Sequence, residues 1–254
     1  MIQEILKGIL SYIEAVYLAI KYRLYKYILF IFLLLLIFIF PVVLFDLFLS
    51  GLSKIIPYSG TDKYAEMGVS FAAGMSGFFL LIILSPIFSM VSEEVTQRLA
   101  GKVYKFSLTQ FIKDVLRGIK IAVRNLFYEY AAIAIISIIL HFLPEKNIIS
   151  LTGNVLLFLI TSYFYGFSIM DYALENNRVG YQESVAFVRN HMGLAIGLGS
   201  VYYAVITIND IDFIKQSLGH LSVYWSGFAE ALVAFVGVVG ASILVAKIRA
   251  KASL

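Results

Sequence analysis

Arg117, Lys120 and Arg124 recur at spacings of three and four, which places them on one face of a helix. Fixed positive charge of this kind can draw an anion out of water at a pore; a solvated basic face held by structural ion pairs has the same pattern. Arg23 and Lys26, beside Lys21, form a second basic group. They read either as a pore mouth for an anion or as topology anchors on anionic lipid, worth about 1 kcal/mol each. Glu93 and Arg98 lie on the segment expected to oppose the first group and read as ion-pair partners or a gating network; Glu93 paired with Arg117 or Arg124 would hold the two together. Glu230 stands about seven residues, roughly 11 Å, into an apolar segment. A carboxylate at that depth is expensive unless it is paired, protonated or wet. It reads as a polar pathway or gate, or, if the span starts later, as a snorkelling residue beside Tyr224 and Trp225. Asp171 closes another apolar segment and is expected to meet water or Arg189.

Other chemistries are missing their residues. The chain has no Cys, so disulfides and thiolate nucleophiles are excluded, and His141, His191 and His220 are too scattered for a zinc site. Nothing matches GxxxxGK[ST], HExxH or GxSxG, so neither ATP hydrolysis nor a familiar hydrolase is indicated. The expectation is a protein that is not an enzyme and needs no cofactor or metal.

The elements that carry these residues must live in lipid. Of 254 residues, 61% are hydrophobic and 14% charged, with mean hydropathy +0.89, against about 45–50% and about 25% in soluble domains. A net charge of +4 is too thin a basic excess for a nucleic-acid surface. Residues 1–24 repeat Ile2, Ile5, Ile9, Ile13, Val16 and Ile20 at helical spacing, with Glu4, Lys7, Glu14 and Lys21 between them, as in an amphipathic helix at the membrane surface. Six hydrophobic segments follow, at 27–49, 67–91, 126–143, 148–170, 192–208 and 223–246; about 20 such residues cross a bilayer core. The third and fifth are short, and Pro144–Asn147 joins the third to the fourth as a hairpin that spans or only dips in. Residues 92–125 keep helical spacing and read as a helical extension into the cytoplasm, broken at Gly101. Gly193 with Gly197, Ala195 with Gly199, and Gly237 with Gly240 offer small faces for close helix packing.

Lys and Arg divide sixteen to four between alternate sides of these segments. The positive-inside bias therefore puts both termini in the cytoplasm, with an even number of crossings.

Three stretches carry a family resemblance. SPIFSMVSEEVTQRLAG, residues 85–101, resembles a pattern in which a small residue and Pro86 close a transmembrane helix, with Glu93, Arg98 and Gly101 beyond. KDVLRGIKIAVRNLFYEY, residues 113–130, is similar to a basic lead into a hairpin. Met170-Asp171-Tyr172, followed by Arg178, Gly180, Ser184 and Arg189, is similar to an Asp-Tyr hallmark and basic helix. With Val239-Gly240-Ala241 as a weaker fourth, they resemble the CysZ family of bacterial inner-membrane proteins, which shares a domain with the eukaryotic etoposide-induced membrane proteins. The family's Pro-Gly-hydrophobic-Arg-Arg loop reads Arg23-Leu24-Tyr25-Lys26-Tyr27 here, with Lys26 in place of its first Arg.

The resemblance implies an all-α integral membrane protein with long cytoplasmic helices, partly penetrating hairpins and homo-oligomeric assembly. It implies an anion permease or channel in the inner membrane, with sulfate the leading substrate. The alternative reading is a non-transporting oligomeric scaffold whose basic helices dock a cytoplasmic partner or anionic lipid.

Overall fold

In the computed structural model the described residues are 1–37, 62–101, 108–143, 147–209 and 221–252, and they form eight helices and no strand. These are α1 (Ile2–Lys21), α2 (Lys26–Ile37), α3 (Asp62–Ala100), α4 (Leu108–His141), α5 (Asn147–Asn176), α6 (Tyr181–Asn190), α7 (Met192–Asn209) and α8 (Leu221–Ala252). The second half of the 27–49 segment, Lys54, Lys102, Lys105, residues 144–146 and Lys215 lie outside the described residues.

By length and composition four stretches can cross a membrane: Leu80–Leu99, Leu116–His141, Ile148–Asn176 and Trp225–Lys251. A fifth is reached if α6 and α7, bent by 87° at His191, count as one broken span. Among the described residues these correspond to five of the six expected segments, and the sixth, 27–49, is described only in its first half. The 192–208 segment is the broken one, because the chain must turn where α6 ends on His191 and α7 begins.

Helix α1 is inside-out relative to a helix of a soluble bundle. On α1 the repeating face of Ile2, Ile13 and Ile20 is exposed, and the small residues Gly8, Ser11, Ala15 and Ala19 are buried. Lipid is as apolar as a protein core, so large side chains gain little by turning inward, and small ones let backbones approach. Helix α7 shows this on two faces. A Cβ on Gly197 would meet the Ile5 carbonyl of α1, and one on Gly199 would meet the Ser162 carbonyl of α5. Gly166 and Gly8 complete the two contacts, against Ala195 and Leu194. Tyr12 then donates to the Leu198 carbonyl at 2.8 Å, and burial raises its phenol pKa above the ordinary value.

Helix α8 is central, with 67% of its span window buried, and α4 is peripheral, with 11%. One expectation for α3 changes. Pro86 lies inside it and does not close a helix, which the bilayer tolerates when neighbouring groups compensate for the freed carbonyl. Ser92 and Val95, at the start of the expected cytoplasmic extension, are fully buried. Ser92 accepts from Ser242 of α8 at 2.8 Å, so these turns belong to the bundle. Gly101 does break the helix, at φ 64°, the left-handed conformation favoured at a helix C-terminus.

Candidate functional site

Helices α4 and α5 run antiparallel, and the polar residues of α4 line the seam between them. At its basic end Arg117 donates to Asp171 Oδ1 at 2.8 Å and to the Val179 carbonyl at 2.7 Å. Ser184 of α6 donates to the same Asp171 oxygen at 2.6 Å. Asp171 is only 4% exposed, so it does not meet water or Arg189 as expected. Its partner lies on the helix that packs against it, and a buried carboxylate needs one so placed. Arg117 keeps a buried Nε without a hydrogen bond.

The next cations on this face find no carboxylate among the described residues. Lys120 stands 4.5 Å over the Tyr181 ring. Arg124, seven residues and about 10 Å further along the helix, lies 5.1 Å from the Phe167 ring and 5.3 Å from that of Tyr128. Its Nη1 donates to Asn125 at 3.2 Å. Asn125 is fully buried and donates in turn to Ser168 of α5 at 3.2 Å.

Deeper still is Glu129, 4% exposed and hydrogen-bonded by Thr161, with Oε2 left without a partner. The sequence reading missed it, because a single Glu near the start of an apolar segment hardly changes hydropathy. The signal was there: Asn125 and Glu129, four apart, continue the face of Arg117, Ile121 and Arg124. Ser85, Gly118, Ser168 and Asp171 line a cavity of about 20 Å³ where α3, α4 and α5 meet. That is room for one water and not for an ion as large as sulfate.

A second charged cluster joins the α1–α2 turn to α3, and Glu94 organises it. Its carboxylate takes Lys26 at 2.7 Å, Arg98 at 2.8 Å and the Tyr27 hydroxyl at 3.0 Å. Arg98 also lies 5.1 Å from the Tyr22 ring. Glu93 points elsewhere and accepts from Gln97 at 3.2 Å. The expected pair of Glu93 with Arg117 or Arg124 does not form, because Asp171 holds Arg117 and aromatic rings hold Arg124. The Glu94–Arg98 spacing of four could have identified the right carboxylate. Arg23 is exposed at φ 56° in the turn and has no side-chain partner among the described residues. Glu230 is 5% exposed and accepts from Ser226 at 2.8 Å. It faces the protein interior, and the snorkelling alternative does not hold.

These features define a multi-pass helical membrane protein that carries charge inward along one helix seam. The family model for the sulfate transporter CysZ/etoposide-induced protein 2.4 matches residues 5–214, and the chain belongs to this family. The family is one of transporters and not of enzymes. No curated protein matches the chain.

Proposed function

We propose that this protein is a membrane anion permease, with sulfate its leading substrate, acting without ATP hydrolysis. The observation that carries the reading is the state of Arg124: a cation inside a helix long enough to cross a bilayer, held by two rings and an amide and not by a carboxylate. Such a charge keeps its attraction for an anion, whereas that of Arg117 is largely cancelled by Asp171. Lys120 adds to the positive potential at the outer part of the seam. Arg23 contributes to the mouth, with Lys26 a weaker member because Glu94 already shares its charge. Family membership supports the substrate class, and the lysine and arginine bias supports both termini in the cytoplasm of a bacterial inner membrane.

The test is radiolabelled sulfate entry into proteoliposomes holding the purified protein, beside empty vesicles. Uptake above empty vesicles is expected; its absence from folded protein would overturn the reading. One observation favours a second role as an oligomeric scaffold: the α4 span is only 11% buried within the chain, which leaves a long face for another copy or for lipid. Crosslinked homo-oligomers without sulfate uptake would select that role.

A further inference from the structure

A groove of about 440 Å³ opens between α1, the start of α7 and the end of α8, away from the α4–α5 seam. Its walls are of two kinds. Leu10, Leu194, Leu244 and Ile248 give it an apolar side, and Leu10, 57% exposed, joins that side to the outward apolar face of α1. The other side is charged, and its charges do not cancel. Glu14 is paired with Lys247 at 2.7 Å, and Glu4 lies 3.2 Å from His191 Nδ1, so the three lysines of the groove exceed its two glutamates by one charge. Lys7 and Lys251, which also line the groove, have no carboxylate partner among the described residues.

A space with two uncommitted ammonium groups on one side and branched aliphatic side chains on the other complements an amphiphile with an anionic head. A free inorganic anion would leave the apolar wall unused, and a zwitterionic lipid would bring its own cation against the lysines. The basic end of α8 also lies where the sequence places the cytoplasmic headgroup layer. We propose that this groove binds one anionic phospholipid, with its phosphodiester between Lys7 and Lys251 and its acyl chain against Leu10, Leu194 and Ile248. The lipid would then bridge the first and last helices of the described chain, beside the direct Lys247–Glu14 link.

The test is native mass spectrometry of the purified full chain titrated with phosphatidylglycerol, phosphatidylcholine or inorganic phosphate. One phosphatidylglycerol per chain should be retained in preference to phosphatidylcholine. The Lys7→Gln/Lys251→Gln variant should weaken that binding by roughly 10- to 30-fold, as loss of about 1 kcal/mol per lysine requires. Both lysines are exposed, so the variant should elute as the parent does, and Lys21→Gln, remote from the groove, should bind like the parent. Equal retention of the two lipids, unchanged binding in the double variant, or displacement of phosphatidylglycerol by an equal concentration of phosphate would each overturn the proposal.

Discussion

Arg117 and Arg124 are two turns apart on the same helix, and the protein treats them differently. Arg117 is closed off by Asp171, Ser184 and a carbonyl from beyond the end of α5. Arg124 has aromatic faces and an amide around it. A guanidinium paired at 2.8 Å with a buried carboxylate is a fastener, because its field is cancelled and its removal strands a charge. A guanidinium over rings is positioned without being neutralised, since cation–π attraction comes from a quadrupole and leaves the net charge in place. In the proposed reading, residues of one type on one helix face thus divide into a fastener and an anion-attracting charge according to what surrounds them.

The contrast can be broken most forcefully at its paired end. Asp171→Ala should lower stability by about 3–5 kcal/mol, since Arg117 would stay buried without its counter-ion; thermal unfolding in detergent reads this. Replacing both partners, as Arg117→Met with Asp171→Leu, should recover most of the loss, and a double variant as unstable as the single one would show that the pair is more than a fastener.

Next in size is the unpaired end. Arg124→Lys keeps the charge but loses the planar group that stacks on rings, so sulfate flux should fall only a few-fold, by about 0.5–1 kcal/mol in barrier. Unfolding temperature should hardly move. A loss of folded protein in this variant would place Arg124 with Arg117.

Two smaller effects sharpen the division. Glu129→Gln keeps an acceptor for Thr161 and removes a carboxylate buried without a cation, so stability should change by about 1 kcal/mol or less. A large loss would reveal a charge partner for Glu129. Arg23→Gly relieves a left-handed conformation that favours glycine, and should raise stability by up to about 1 kcal/mol. If Arg23 serves the mouth, flux measured on the same sample should fall while stability rises.

Much of this was legible in the sequence, and the gaps have physical causes. The apolar lengths overlap the α4, α5 and α8 candidate spans, though the α4 span opens at Leu116 and not at residue 126, and the small-residue spacings on α7 identified both of its packing faces. Which helix meets each face was hidden, since GxxxG states only that something approaches closely. The inward side of α1 was hidden for a related reason: the periodic isoleucines mark an outward apolar face, as an amphipathic helix at a membrane surface requires, and say nothing of the small residues that pack behind it. Asp171 stood out as a charge at the end of a span, but its partner is 54 residues away in the chain, beyond the reach of local spacing. Glu93 was chosen over its neighbour Glu94 because it falls on the family pattern beyond Pro86, which does not say which of two adjacent carboxylates the helix turns toward the cations.

The account rests on the uncancelled charge of Arg124, and its most direct test is paired measurement of sulfate uptake and unfolding temperature for Arg124→Ala in proteoliposomes. Uptake should fall by about tenfold or more, equivalent to about 1.4 kcal/mol, with the unfolding temperature near that of the parent. Undiminished uptake from folded protein would contradict the account and return Arg124 to an ordinary structural role.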